Sequence, residues 1–293
     1  MGRVFVRPEA VQGERVRFDA AEAHHLRRVL RLRAGALVEA TDGAGRVYRV
    51  RLMALDPGGA WGAIEAASCP AAESPCAITL AQAWLKGDRM RWLVQKATEL
   101  GVARIIPVES ARAVRRPGQA GAPPGDRWQR IAREAVKQCG RVVVPVIDSP
   151  RPLAAVLAEA PHHDAAWLFA PDGGEPLDAM ARATGHPARM LLLVGPEGGF
   201  AREEVDQARE AGLRLVSLGT RVLRGESAGL TAVALCQYLF GDLGRAPAAP
   251  RTAEPGPVDL PVASGGLGRG AVVGPAEDEP TQFLGGPGPM FQD

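Results

Sequence analysis

The chain has 293 residues, of which 46% are hydrophobic and 23% charged, and its formal net charge is +2 at pH 7. This length suits two globular domains of ordinary size, and the composition excludes a fibrous protein. No window approaches the roughly 18 consecutive apolar residues of a membrane-spanning helix, and the N-terminus lacks the apolar core of a signal peptide, so we expect a cytoplasmic protein.

The first 70 residues alternate short β-type runs with turn signals, which predicts a small antiparallel barrel. The predicted strands are RVFV, ALVEATD and RVYRVRLMAL. One predicted helix, AEAHHLRRVLRLR, interrupts them at residues 21–33. It places Leu26, Val29, Leu30 and Arg33 at helical spacing, and would leave Arg27, Arg28 and Arg31 projecting.

A proline-bearing segment, CPAAESPC at residues 69–76, marks the expected domain boundary between residues 1–72 and 73–244. Beyond it, predicted strands alternate with helices, which indicates an α/β domain with a mostly parallel sheet. The strands are AITLAQAW, ARIIPVES, VVVPVI, AAWLFA, MLLLVG and LRLVSLG. The helices are MRWLVQKATELG, GDRWQRIAREAVKQCG, residues 201–211 and SAGLTAVALCQYLF.

The charge is distributed unevenly along this domain. Residues 84–141 hold thirteen Lys or Arg against five Asp or Glu, an excess that suits contact with phosphates. A solvated helix face in an arginine-rich protein is the alternative. Residues 245–293 contain nine Pro and nine Gly, which predicts a flexible tail without catalytic duty.

The four cysteines, Cys69, Cys76, Cys139 and Cys236, show no C-x-x-C spacing. We therefore expect neither a metal site nor a disulfide framework, and predict reduced and mostly buried thiols.

Two glycine-rich turns follow the last two predicted strands. LLLVGPEGGFAREEV, at residues 191–205, indicates a buried strand, a tight turn and a helix, and SLGTRVLRGESAGLTA follows at residues 217–232. The first turn, GPEGG, matches neither the phosphate-binding loop nor the dinucleotide fingerprint. Parallel strands that end in such turns create a crevice at their carboxyl ends, where exposed backbone groups can bind a ligand.

These two turns together resemble the knotted SPOUT class of S-adenosylmethionine methyltransferases. More narrowly, the chain resembles the bacterial 16S ribosomal RNA uridine N3-methyltransferase family. The likeness extends over residues 1 to about 244 and includes HHLRRVLRLR, KGDRMRWLVQKATELGV, QCGRVVVPVI and YLFGDLG. It implies a PUA-like RNA-binding β-barrel before a methyltransferase domain with a C-terminal deep trefoil knot. It also implies a homodimer that acts on 16S rRNA in the small ribosomal subunit.

The resemblance further implies functional residues. Arg224 and Glu226 would orient the substrate and transfer protons, or alternatively form a salt bridge that pins the knot. The cofactor-binding set would be Leu193, Gly195, Pro196, Glu197, Gly198, Gly199, Leu218, Gly219, Leu223, Ser227 and Ala228. The RNA-binding set would be His24, Arg27, Arg28, Arg31, Lys86, Arg89, Lys96, Arg112, Arg141 and Arg221. For His24 and His25 a structural role is the alternative.

The chain departs from the family at Gly225, Ser227 and Gly229, where threonine, threonine and alanine are more usual. These are small-for-small changes, so we expect the turn to persist. The tail after Gly244 has no counterpart in the family. Two other functions are compatible with the pattern: methylation of a tRNA base or a ribose 2′-hydroxyl, and a ribosome-assembly factor that binds RNA without catalysis.

Overall fold

The computed structural model describes residues 3–70, 73–113 and 125–245. The predicted domain boundary at residues 72–73 and the predicted tail at 245–293 therefore fall largely outside the described residues. None of the described helices is long and apolar enough to cross a membrane.

The N-terminal part forms a six-stranded sheet. Its strands are β1 (Arg3–Phe5), β2 (Val11–Gln12), β3 (Arg15–Phe18), β4 (Leu37–Thr41), β5 (Val47–Asp56) and β6 (Gly59–Ser68). The order is β1-β4-β5-β6-β3-β2, with β1 and β4 parallel and the other pairs antiparallel. Register shifts in β5 at Arg49/Val50 and Leu52/Ala54 bend the sheet around a core that includes Val16, Phe18 and Leu52.

The predicted helix of this part is shorter than the sequence pattern indicates. Helix α1 (Ala20–His24), capped by the Asp19 carboxylate, continues as a π-helical turn over His25–Val29 and then stops. Arg31 already has a φ of 54°, outside any right-handed helix. Leu26 and Val29 were expected at helical spacing, but the wide π turn places Leu26 in the core and leaves Val29 62% exposed.

The second sheet has eight strands, and its described pairs are all parallel. They are β7 (Ala77–Ala83), β8 (Arg104–Glu109), β9 (Val146–Ile147), β10 (Arg151–Pro152), β11 (Ala165–Phe169), β12 (Glu175–Pro176), β13 (Arg189–Val194) and β14 (Arg214–Ser217). The order is β10-β8-β7-β13-β11-β14-β12, and β9 pairs with β8. The predicted α/β fold with a mostly parallel sheet is confirmed.

Within the described residues, six α-helices accompany these strands. They are α2 (Arg89–Glu99), α3 (Gly125–Cys139), α4 (Leu153–Leu157), α5 (Leu177–Thr184), α6 (Arg202–Glu210) and α7 (Gly225–Phe240). The sequence pattern predicted α2, α3, α6 and α7. It did not predict α4, α5 or the two-residue strands β10 and β12.

Strand β13 shows why its apolar run is continuous. Leu192 and Val194 belong to the core that contains Leu93 of α2 and Val233 of α7. Leu191 belongs to the opposite core, with Leu157 of α4 and Ala208 of α6. Both faces of the strand are therefore covered by helices, as predicted. Helix α7 packs against α2, β7 and β13, and the trefoil knot stays a prediction.

The predicted strand VVVPVI is reduced to β9, because residues 142–144 bond to the first sheet instead. Gly45 N donates to Val142 O at 3.1 Å, and Val144 N donates to Gly43 O at 2.9 Å. We call residues 140–144 the joint. Arg3 also reaches the joint, since its guanidinium donates to Gly140 O at 2.6 Å.

All four cysteines are free thiols. Cys76 and Cys236 are buried, whereas Cys69 and Cys139 are exposed. The expectation of mostly buried thiols therefore holds for half of them. Burial is the main cause that raises the pKa of Cys76 to about 11, so this thiol is inert at neutral pH.

Candidate active site

A cavity of about 410 Å³ lies at the carboxyl edge of the large sheet. Strands β13 and β14 flank β11, so the turns that follow these three strands meet there. The two turns singled out in the sequence line the cavity: the first turn, GPEGG at residues 195–199, and the second turn, LGTRVLRG at residues 218–225. A third, Ala170–Pro171–Asp172, which sequence analysis missed, lines it as well. The letters PDGG directly after the predicted strand AAWLFA were the available signal.

Most of the predicted cofactor residues line this cavity, namely Gly195, Pro196, Glu197, Gly198, Gly199, Leu218, Gly219, Leu223 and Ala228. Leu193 does not, since it is fully buried in the core between the sheet and helices α4 and α6. Ser227 is not among the lining residues either. Apolar walls that were not predicted come from Phe169, Val194, Phe200 and Val205.

The second turn needs a left-handed residue at its first bend. Gly219 has a φ of 106°, a conformation that L side chains rarely adopt. Its N–H receives support from the Ser217 hydroxyl, which accepts at 3.2 Å. Gly219 and the residue before it, Leu218, line the cavity.

A buried side-chain amide donates a hydrogen bond to the backbone of the first turn. Gln82, at the end of β7, is fully buried, and its Nε2 donates to Gly195 O at 3.1 Å. The same amide nitrogen donates to Ala83 O at 3.2 Å. Gln82 Oε1 has no hydrogen-bond partner among the described residues. Sequence analysis passed over this side chain, although a glutamine inside the apolar run AITLAQAW is itself a signal of such a role.

Two carboxylates converge on Arg89 in the first turn of α2. Arg89 Nη1 lies 2.8 Å from Glu197 Oε1, and Arg89 Nε lies 3.6 Å from Glu226 Oε1. Lys86 N also donates to Glu197 Oε1, at 3.2 Å. Glu226 Oε2 is buried and has no hydrogen-bond partner within the described residues.

The charge state of Glu197 follows from these contacts. Burial opposes its ionisation, but the backbone N–H groups of Glu197 itself and Lys86, together with the Arg89 guanidinium, outweigh that effect. The pKa of Glu197 is therefore lowered from its ordinary value. A negative charge is thus maintained at the wall of the cavity.

Three further arginines lie at the cavity or beside it. Arg112 and Arg221 line it and are exposed, and Arg112 Nη1 donates to Gly198 O at 3.1 Å. Arg224 is exposed at the position just before α7. No ion-pair partner of Arg221 or Arg224 is found in the described part of the chain.

The predicted RNA-binding residues of the N-terminal part lie on α1, on its π turn and, for Arg31, two residues beyond that turn. His24, Arg28 and Arg31 are exposed. Arg27 is partly buried, and its Nε has no hydrogen-bond partner in the described ranges.

Two predicted phosphate contacts are engaged elsewhere. Arg141 is only 8% exposed: it pairs with Glu73 Oε2 at 2.6 Å and donates to Thr98 O and Val102 O, each at 2.9 Å. The prediction that Arg141 contacts RNA is therefore corrected, because these protein groups occupy its guanidinium. Lys96 is partly buried and pairs with Glu99 at 2.8 Å, whereas Lys86 is exposed.

The family departures at the start of α7 coincide with close packing. A Cβ at Gly225 would lie 2.7 Å from Leu85 Cδ2 and 3.1 Å from Gly195 O. A Cβ at Gly229 would lie 2.4 Å from Gln82 Oε1. The missing side chains let α7 approach the first turn, so the turn persists as expected.

No cluster of three or more potential metal ligands occurs in residues 3–70, 73–113 and 125–245. The polar groups that line the cavity are instead backbone amides, the carboxylates of Asp172 and Glu197, and the guanidinium groups of Arg112 and Arg221. Such a set can bind a small organic molecule, stabilise an anion and accept a proton.

Comparison with known proteins places this geometry among RNA methyltransferases. The family described as RNA methyltransferase domain matches residues 72–237, and the RNA methyltransferase PUA domain matches residues 18–65. A ribosomal RNA small subunit methyltransferase E from Synechocystis is 34% identical over 81% of this chain and 78% of its own length. Its namesake from Bacillus subtilis is 27% identical over 74% of this chain and 87% of its own.

The solved structure of another ribosomal RNA small subunit methyltransferase E is also similar to this chain. The ribosomal RNA small subunit methyltransferase E from Neisseria gonorrhoeae, bound to S-adenosyl methionine, superposes with a TM-score of 0.75 and 34% identity. The similarity covers 83% of this chain and 99% of the other.

Proposed function

This chain belongs to the ribosomal RNA small subunit methyltransferase E family of RNA methyltransferases, and from that premise we propose its reaction. It transfers a methyl group from S-adenosylmethionine to N3 of one uridine in 16S ribosomal RNA. The observation that carries the proposal is the cavity at the carboxyl edge of β11, β13 and β14, whose turns hold the family's motifs.

The cavity fits this cofactor. Its volume of about 410 Å³ is within the usual range for small-molecule sites. Glycine turns expose backbone donors and acceptors for a purine edge, and Phe169, Val194 and Phe200 supply apolar walls. The carboxylates of Asp172 and Glu197 suit a positively charged ligand with hydroxyl and ammonium donors.

When bound, S-adenosylmethionine supplies a methyl group on a positively charged sulfur, ready for direct displacement. The chain must therefore position the uracil so that N3 faces this methyl in line. Arg224 orients the base, because it is exposed beside the cavity and has no ion-pair partner among the described residues. A guanidinium there also stabilises the negative charge that develops on the uracil oxygens.

The N3 proton must leave before or during methyl transfer. Glu226 is the proposed acceptor, since one of its oxygens is buried without a partner in the described ranges. The second oxygen faces Arg89 at 3.6 Å, which keeps the carboxylate near one orientation. A buried acceptor with one free oxygen is suited to take a proton from a nearby imide.

RNA binding is assigned to the exposed cations of the π turn, of the residues just after it and of the cavity rim. Arg28, Arg31 and Arg221 are exposed, and Lys86 lies beside the turn that contains Glu197. An N3 atom within folded RNA is reached only when its base is unpaired, so recognition depends on shape and phosphate contacts.

We also propose that the protein is a cytoplasmic homodimer that pairs through α7. Half-buried Leu230 and Ala234 and the 64% exposed Tyr238 follow one another at four-residue spacing, so this face of the helix is apolar. Static light scattering on wild type and Tyr238→Glu tests this pairing. We expect a dimer for the wild type and a shift toward monomer for the variant, whereas a monomeric wild type contradicts it.

A methyl-transfer assay tests the reaction itself. Labelled S-adenosylmethionine and the protein are incubated with small subunits from cells that lack this activity, and 16S RNA nucleosides are analysed by mass spectrometry. New 3-methyluridine is the expected product. Methylation at another atom overturns the uridine N3 assignment, and cofactor binding without transfer to any RNA indicates a non-catalytic assembly factor.

A further inference from the structure

Arg89 lies between the two glycine turns that build the cavity. Its Nη1 contacts the carboxylate of Glu197 in the first turn, at 2.8 Å, and its Nε faces the carboxylate of Glu226 at the start of α7, at 3.6 Å. The two contacts use different edges of one planar guanidinium. Arg89 thus links α2, the first turn and α7 through one side chain.

We propose that Arg89 is a positioning residue that fixes the carboxylates of Glu197 and Glu226 relative to each other. This role replaces the RNA phosphate contact predicted from sequence, and it rests on the proposed function because Glu226 is the proposed proton acceptor.

The surrounding charges favour positioning over phosphate binding. The side chain of Arg89 is 38% exposed, whereas those of Glu197 and Glu226 are 26% and 12% exposed. A phosphate that approached Arg89 would meet two carboxylates beside it, and like charges at such short range repel. Exposed Lys86, only three residues earlier, offers a phosphate an ammonium without an ion pair in the described part of the chain.

The shape of the guanidinium explains why arginine stands here. Its donors form a rigid planar fork, so one group can serve two acceptors at fixed angles. A lysine ammonium is a compact point charge on a flexible stem, and it would pair with one carboxylate at a time. Arg89→Lys should therefore retain the positive charge but no longer fix the relative position of the two carboxylates.

The test compares Arg89→Gln with Arg91→Gln, a matched exposed arginine on the same helix. For Arg89→Gln we expect kcat to fall about tenfold or more and the Kd for S-adenosylmethionine to rise about three- to tenfold. The KM for small subunits should stay within about twofold, and the salt dependence of RNA binding should not change. Arg91→Gln should match wild type in kcat and cofactor affinity.

Arg89→Lys is the second variant of the test, and it separates a loss of positioning from a loss of folding. We expect a kcat between those of wild type and Arg89→Gln, with a thermal midpoint close to that of wild type. A rise in KM with unchanged kcat and a shallower salt slope would overturn the proposal in favour of a phosphate contact. An Arg89→Gln protein that is less stable but fully active per folded molecule overturns it as well.

The wild-type control separates this proposal from the proposed function. If wild type transfers no methyl group to small subunits or other RNA, the proposed function fails and Arg89 loses its role with it. If wild type is active and only the Arg89 variants behave unexpectedly, the positioning role alone is wrong.

Discussion

The joint and the carboxyl edge of the large sheet were both singled out by arginine-bearing motifs, yet they use their polar groups differently. At the joint, the guanidinium of Arg141 is fully engaged by Glu73 and two backbone carbonyls. At the carboxyl edge, Glu226 Oε2 has no partner among the described residues, and Arg224 stays exposed. The polar groups of Arg141 are used within the protein, whereas those of Glu226 and Arg224 are available to a bound molecule.

The largest expected effect is a loss of kcat from a substitution at the carboxyl edge of the large sheet. Glu226→Gln should lower kcat about 10²- to 10⁴-fold, because the amide cannot accept the N3 proton. The Kd for S-adenosylmethionine, measured by calorimetry, should change little. Glu203→Gln, an exposed glutamate in the first turn of α6, serves as the control. Loss of cofactor binding in Glu226→Gln would contradict a proton-transfer role and indicate a role in the cavity wall.

The next largest expected effect is a loss of stability from a substitution at the joint. Arg141→Gln should lower the free energy of unfolding by about 3 kcal/mol, since it leaves two buried carbonyls and Glu73 without their charged donor. Urea unfolding measures the change, with exposed Arg133→Gln on α3 as the control. Unchanged stability together with a shallower salt slope of RNA binding would restore the phosphate-contact prediction for Arg141.

A smaller effect sharpens the role of close packing at the edge. Gly229→Ala restores the residue more usual in the family, yet it should destabilise the fold by about 1 kcal/mol. The added Cβ would lie 2.4 Å from the pinned Gln82 Oε1, and this crowding outweighs the better helix propensity of alanine.

A double-mutant cycle in urea checks the cause of this effect. Gln82→Ala removes the crowding atom, so the added alanine at 229 should then be neutral or stabilising. Equal costs of Gly229→Ala with and without Gln82 would show that the crowding is not responsible.

The smallest effect concerns pH. Because the pKa of Glu197 is lowered in the folded protein, its contribution to stability is present above its ordinary pKa of about 4.3 and is lost as the pH falls through the lowered value. The pair with Arg89 is partly exposed, so we expect less than about 1 kcal/mol. Unfolding of wild type and Glu197→Gln from pH 7 to pH 3 should show a difference that vanishes in acid. A difference that grows in acid would reverse the assigned sign.

Periodicity predicted the elements with long, regular patterns. The continuous apolar run of β13 and the glycine-flanked helices α2 and α6 were identified because burial on both faces and capping glycines leave local signals. Short elements such as β10 and β12 were missed, since two residues carry no period. The π turn was missed because its extra residue per turn depends on how Leu26 packs into the sheet.

The functional residues divide in the same way. The sequence by itself determined the fold class and the two glycine turns, because glycine and apolar patterns are local consequences of backbone geometry and burial. Most of the cavity lining was implied by the family resemblance of these turns. Only the tertiary structure decided that Arg141 is buried, that Glu226 has one oxygen without a hydrogen-bond partner among the described residues, and that a third turn and Gln82 complete the site. Ion pairs and hydrogen bonds join residues far apart in the chain, for example Gln82 with Gly195 and Arg89 with Glu226, and no local pattern encodes such partners.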